Sequence, residues 1–281
     1  MDTIYQAVEL CDDVAVTPRL AGLVVTSDDP AVPAGERNLA FRAGVLLGRH
    51  LFGPGWDAAG GRPGAAIHIV KRIPMQAGLG GGSADAAAAL LGLWQVWGRN
   101  VPGAWPAVPG VLWEVARALG ADVPFGLNGP AAIGRGRGDV LAPVEGLAGT
   151  RVVLAFPPFG LSTADVYRWW DEDNPDAPRS AEAPAPDTGL PGVMEEIGRP
   201  GNRQVRLRND LEEVVFRRYP ALRALKDQML ASGARAAAMS GSGSTIYALA
   251  EDDRAAEQIA REAAPVLPGT RFTITRALGE A

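Results

Sequence analysis

The chain has 281 residues, 47% of them apolar and 21% charged, which is long enough for one large domain or two ordinary ones with a substantial core. A net charge of -5 excludes a nonspecific nucleic-acid binder, which needs a basic footprint, and no apolar run reaches the roughly 18 to 20 residues that span a bilayer. With a single cysteine, Cys11, and two histidines, His50 and His68, an intrachain disulfide, a CxxC metal site and a three-histidine zinc site are all excluded.

The start carries no basic region followed by an apolar one, so a cytoplasmic protein is expected. In chain order, "DDVAVTPRL" and "AGLVVTSDD" (Asp12 to Asp29) alternate apolar and polar residues around a Pro-Arg turn, which predicts two antiparallel strands. Asn38 offers an N-cap to a helix whose Leu39, Ala43, Leu46, Leu47 and Leu51 recur at helical spacing. His50 falls in that helical pattern and His68 in the strand-like "AAIHIVKRI", and both read as structural. A glycine run follows, and then a helix from about Ser83 to Trp97.

"VLWEVARALG" reads as a helix closed at Gly120, "PAAIGRGRGDVLAPV" as a hairpin and "RVVLAF" as a buried strand. Ser162 caps a helix over "STADVYRWWDE", in which Trp169 and Trp170 are expected to pack. The stretch 173–192 is rich in proline, alanine and charge and is expected to be a mobile loop or linker. The remainder predicts helices near "NDLEEVVFRRY" and from Pro220 to Gly233, a strand "ARAAAM", the turn "SGSGS", a strand "TIYALA", a helix and a last strand, an α+β arrangement with helices on one face.

The glycine run asks for a function. A helix start leaves its first N–H groups unpaired and carries the positive end of the peptide dipoles, and glycines ahead of it let a bulky anion reach those donors. Gly78, Gly80, Gly81 and Gly82 followed by Ser83 and an alanine-rich helix therefore read as a phosphate cradle, the alternative being a turn that only lets strand and helix pack closely. No lysine follows the glycines as a Walker loop requires, and the dinucleotide fingerprint fails because position 105 is tryptophan rather than an acid.

The string "KRIPMQAGLGGGSADAAAAL" resembles the second motif of the GHMP kinases, the family of galactokinase, homoserine kinase and mevalonate kinase. With Lys71 to Pro74 ahead of a triple glycine, it is most similar to the branch that acts on 4-diphosphocytidyl-2-C-methyl-D-erythritol in non-mevalonate isoprenoid synthesis. "LGADVPFGLNGPAAIGRGRGDVLAP" resembles that branch's GADxPF segment, "ARAAAMSGSGSTIYAL" the third GHMP motif, and "NDLE" with "YPALRALKDQML" its C-terminal domain.

The resemblance implies a two-domain α+β fold: an ATP-binding domain over 1–150 with a left-handed βαβ unit, and a ferredoxin-like domain over 151–281. It implies transfer of phosphate from ATP, with magnesium, to the 2-hydroxyl of that cytidine-diphosphate substrate in the cleft between them. The alternatives are another GHMP small-molecule kinase, or a nucleotide-binding homologue without catalysis.

Asp122 stands at the family's catalytic aspartate, the alternative being a turn cap after Gly120. Pro74, Met75, Gln76, Ala77, Gly78, Leu79, Gly80, Gly81, Gly82, Ser83 and Ala84 are expected to wrap the triphosphate, with Ser83 as N-cap or phosphate donor. Asp85, where many relatives carry Asn, would be a favourable acid in the first helical turn. Thr163 and Tyr167 match the segment that holds the cytidine and diphosphate, and Gly241, Ser242 and Gly243, after Ser240, are expected to present N–H groups to the diphosphates. The metal ligands and the oligomeric state are left open.

The opening "MDTIYQAVEL" matches, at Thr3, Tyr5 and Gln6, the residues that follow the family's first motif, a strand with a catalytic lysine and then a substrate-binding histidine. The expectation is a true start upstream, with an exposed sheet edge in the chain as given. Lys71 and Lys226, the only lysines, lie in other motifs and do not replace the missing one by position.

Overall fold

A computed structural model describes residues 2–98, 108–176, 196 and 205–279. The stretch expected to be mobile at 173–192 lies, beyond position 176, outside those residues.

The first half is built on two three-stranded sheets. β1 (Thr3–Gln6) is an edge strand, paired antiparallel with β5 (Ala131–Arg135), which pairs in turn with β6 (Val140–Pro143) as the expected hairpin. β2 (Asp13–Arg19) and β3 (Leu23–Ser27) form where expected but do not pair with each other. β4 (Gly64–Val70) lies between them, antiparallel to β2 and parallel to β3. This corrects the expected β2–β3 hairpin: β3 leads through α1 (Leu39–Phe52) to β4 as a βαβ unit, because a central strand gains ladders on both sides. Asn38 caps α1 as expected, its side chain accepting from Ala40 N and Phe41 N. Leu23, Val25, Ile67 and Ile69 from the sheet bury against Ala43 and Leu47 of α1, and Leu90 and Leu93 of α2 (Gly81–Trp97), with α3 (Gly110–Leu119) outside them.

The second half is one antiparallel sheet in the order β10-β7-β9-β8, formed by Arg271–Arg276, Arg151–Phe156, Ile246–Ala250 and Ala236–Met239. Strand alternation gives β7 two faces. Val153 and Ala155 bury against α4 (Thr163–Asp173), α5 (Glu212–Arg218), α6 (Pro220–Ala231) and α7 (Asp253–Ala263), which supply Val166, Val215, Leu222, Leu225 and Ile259. Val152, Leu154 and Phe156 pack instead with Ala77, Leu79, Ile4 and Val8 of the first half. The glycine loop is thereby pinned to the second half by an apolar seam, and Trp169 and Trp170 pack against the helical core as expected.

Candidate active site

The helix after the glycine run starts at Gly81, two residues earlier than expected, with Gly80 in the left-handed region at φ 66° as its cap. Ser83 is therefore inside the first turn and is not the N-cap; the left-handed step at Gly80, open to glycine without strain, begins the helix sooner. No side chain caps this helix, and its first bond runs from Ala84 N to Gly80 O at 2.9 Å. That leaves the N–H groups of Gly81, Gly82 and Ser83 at an uncapped positive helix end.

The glycines serve different needs. A Cβ at Gly78 (φ 74°) would fall 2.4 Å from Ser240 O and 2.6 Å from Gly243 O, so this glycine is what lets the loop dock on the 240–243 turn. A Cβ at Gly81 would meet Ile73 at 3.0 Å, a packing need. At Gly80 and Gly82 a Cβ would meet nothing within 4 Å. Gly82 has neither a left-handed backbone nor a close neighbour, so open space over the helix mouth is the feature it preserves.

The leading part of the loop docks across the two halves. Gln76 O accepts from Leu161 N at 3.4 Å, Ala77 O from Thr245 N at 3.2 Å and Gly78 O from Ser240 Oγ at 2.9 Å. Pro74 to Ala77 also line a cavity of about 180 Å³ with Phe156 to Gly160, Ser244 and Thr245. Leu79 packs in the seam, and Ala84 is exposed beyond the mouth.

Beneath the loop lies a buried charge cluster that the sequence reading missed. Lys71 Nζ donates to Asp12 Oδ2 and, at 2.8 Å, to Asp85 Oδ2. Asp12 also accepts from the N–H groups of Arg72 and Ile73. Asp85 is thus in the second turn of α2, buried, and corrects the expected first-turn acid: its partner is Lys71, not the helix dipole. Burial pushes its carboxyl up to about 6, against the Lys71 hydrogen bond, and among the described residues Oδ1 has no hydrogen-bond partner. Asp12 is held below the usual carboxylate range, burial being outweighed by Lys71 and the two N–H donors.

Asp122 lies in the turn after α3, ahead of a 3-10 turn at Pro124–Leu127. That turn packs on α2, with Gly126 so close that a Cβ would fall 2.5 Å from Ala87 Cβ. The Asp122 carboxylate accepts from the Tyr5 hydroxyl at 2.9 Å, a bond to β1 rather than a cap on its own turn. Burial first, and then Asp122, push the Tyr5 hydroxyl well above the usual phenol range. Tyr167 is raised in the same way, by desolvation and then by the charge of Asp122.

One turn earlier on α4, Thr163 Oγ1 lies 2.9 Å from Ser242 Oγ in the second glycine turn. The buried Ser242 lies between Gly241 and Gly243, at φ 53° and 83°. Asn209 supports this turn by donating to Met239 O and Gly241 O, both at 2.8 Å, and Glu212 by accepting from Met239 N at 2.7 Å. Among the expected residues, Thr163 and Ser242, and the glycine loop with the 240–243 turn, are brought together. Tyr5, Asn209 and the Lys71 cluster are the additions.

A glycine loop docked on a second glycine turn and running into an uncapped helix start is an arrangement suited to a phosphate-handling protein. Two family models match in this order: the GHMP kinases N terminal domain over residues 38–130 and GHMP kinases C terminal over 192–266. A 4-diphosphocytidyl-2-C-methyl-D-erythritol kinase of Moorella thermoacetica is 37% identical over 98% of this chain and 90% of its own length, and one of Pelotomaculum thermopropionicum 38% identical over 92% and 84%. A crystal structure of 4-(cytidine 5'-diphospho)-2C-methyl-D-erythritol kinase aligns with a TM-score of 0.72 at 32% identity, covering 99% of this chain and 90% of that one. The fold extends to a homoserine kinase from Cytophaga hutchinsonii at a TM-score of 0.66 and 19% identity, over 98% of this chain and 89% of that one. The chain belongs to the 4-diphosphocytidyl-2-C-methyl-D-erythritol kinase family of GHMP kinases.

Proposed function

We propose that this chain transfers the γ-phosphoryl group of ATP to the 2-hydroxyl of 4-diphosphocytidyl-2-C-methyl-D-erythritol, a step of non-mevalonate isoprenoid precursor synthesis. The observation that carries the nucleotide half is the open, uncapped mouth of α2, where Gly81, Gly82 and Ser83 offer N–H groups and a Cβ at Gly82 would meet only free space. In this reading residues 1–150 hold ATP and 151–281 close the acceptor side, and the reaction belongs in the cytoplasm, where ATP is supplied.

Phosphoryl transfer needs positioning and charge stabilisation more than covalent help from the protein. The loop from Pro74 to Ala84 seats the triphosphate, its Gln76 to Gly78 carbonyls fixing it to the other half and its Gly81 to Ser83 donors facing the nucleotide. Magnesium, a hard cation that keeps waters and takes phosphate oxygens, would be held chiefly by the triphosphate itself, the Ser83 hydroxyl being the one side-chain oxygen in the first turn of α2. When bound it supplies charge neutralisation. Among the described residues no group of three or more His, Cys, Asp or Glu offers it a cage, and Asp85 is committed to Lys71.

Asp122 orients the acceptor hydroxyl and takes its proton as the acceptor oxygen bonds to the γ-phosphorus; the bond from that phosphorus to the β-γ bridging oxygen breaks, its electron pair leaving with ADP. Tyr167 offers a ring face to the cytosine, and Thr163 with Gly241 to Gly243 borders the diphosphate. The test is ATP turnover with this acceptor against mevalonate and homoserine, in wild type and Asp122→Asn. Turnover confined to the cytidine compound, reduced at least about a hundredfold in Asp122→Asn, is expected. Undiminished turnover in the variant would sink the assignment.

A further inference from the structure

We propose, resting on the reading above, that Tyr5 is a positioning residue for the transfer: its hydroxyl holds one oxygen of Asp122 and so aims the other at the acceptor. Among the described residues the one hydrogen bond at the Asp122 carboxylate comes from Tyr5, 117 positions away in sequence, and it occupies Oδ1. Oδ2 is left for a ligand. Without that bond Asp122 would be an exposed side chain on a turn, free to change rotamer.

The Tyr5 ring is itself fixed on two sides. It stacks on Phe125 with centroids 4.9 Å apart and planes 21° from parallel, three residues after Asp122. On another side Gly134 makes room for it: a Cβ there would fall 2.6 Å from Tyr5 Cε2. β1 pairs Tyr5 with Ala132 of β5, so the backbone is in register as well. The ring meets Phe125 and Gly134 with carbon atoms, and phenylalanine would keep both contacts. What the hydroxyl adds is the bond to Asp122, and with its titration pushed well above the usual phenol range it stays a donor wherever the protein works.

The experiment is steady-state kinetics on the full chain carrying Tyr5→Phe, Asp122→Asn and both. Tyr5→Phe is expected to lower kcat roughly tenfold to a hundredfold, the range for small misplacement of a reacting group. KM for ATP and for the cytidine substrate should move less than about threefold, because an interaction realised in the transition state falls on kcat. In the Asp122→Asn background the same change should have no further effect, since the hydroxyl acts through that carboxylate. Wild-type kcat in Tyr5→Phe, or an equal loss in the Asp122→Asn background, overturns the proposal. A dead Asp122→Asn beside a fully active Tyr5→Phe removes only the role of Tyr5, whereas a fully active Asp122→Asn, or a parent chain without turnover, removes the reading beneath it.

Discussion

Lys71 and Lys226 each stand behind a glycine turn, one in each half of the molecule, and the sequence contains no other lysine. Lys71 sits under the mouth of α2, where a Cβ on Gly81 would come within 3.5 Å of its Nζ, and its side chain is 4% exposed. It is the single ammonium between two carboxylates whose side chains are 2% and 7% exposed. Lys226 donates to Glu212 Oε2 at 2.6 Å, and Glu212 in turn holds Met239 N–H, at the edge of the 240–243 turn. That pair is 16% and 13% exposed, and each Glu212 oxygen has its own donor. The turn with the open mouth is thus propped by a buried, charge-imbalanced cluster, and the turn that receives it by a balanced, partly wetted pair.

Removing each ammonium in turn separates the two props. Lys71→Met strands Asp12 and Asp85 without a counter-charge in the interior, and stability in urea should fall by about 3 to 5 kcal/mol. Lys226→Met leaves Glu212 bonded to Met239 N–H and nearer to water, so its loss should be about 1 to 2 kcal/mol. Equal losses would show that the two props are alike.

A smaller effect sharpens the charge imbalance. Burial raises Asp85 from its ordinary 3.8 to about 6, so between those values the folded chain binds more protons than the unfolded one. Its contribution to stability is therefore present at low pH and is lost as pH rises through that window. Denaturation of wild type and Asp85→Asn across pH 4 to 7 should show wild type losing about 1 to 3 kcal/mol relative to the variant. A difference independent of pH would mean that Asp85 titrates normally.

Much of this was legible because it is local. The glycine run, the Asn38 and Ser162 caps and the β5–β6 hairpin are set by residues within a few positions of one another, and they form as read. The β2–β3 hairpin failed because the strand that separates them arrives some 40 residues later, and local alternation cannot announce a central strand. Ser83 and Asp85 were misplaced along the helix because nothing local marks the left-handed step at Gly80 or the distant partner Lys71. The Tyr5–Asp122 bond and the Asn209 support of the second turn span 117 and about 30 positions, and only the folded chain brings them together.

If the mouth of α2 holds the triphosphate, a Gly82→Leu variant should lose it. The new side chain meets no protein atom at its Cβ and replaces a glycine in a helix, so the melting temperature should hold or rise, by about 0.5 to 1 kcal/mol in stability. It would fill the space over the unpaired N–H groups, so calorimetry should find ATP affinity reduced at least about tenfold. Unchanged ATP affinity in a stably folded Gly82→Leu would contradict the account.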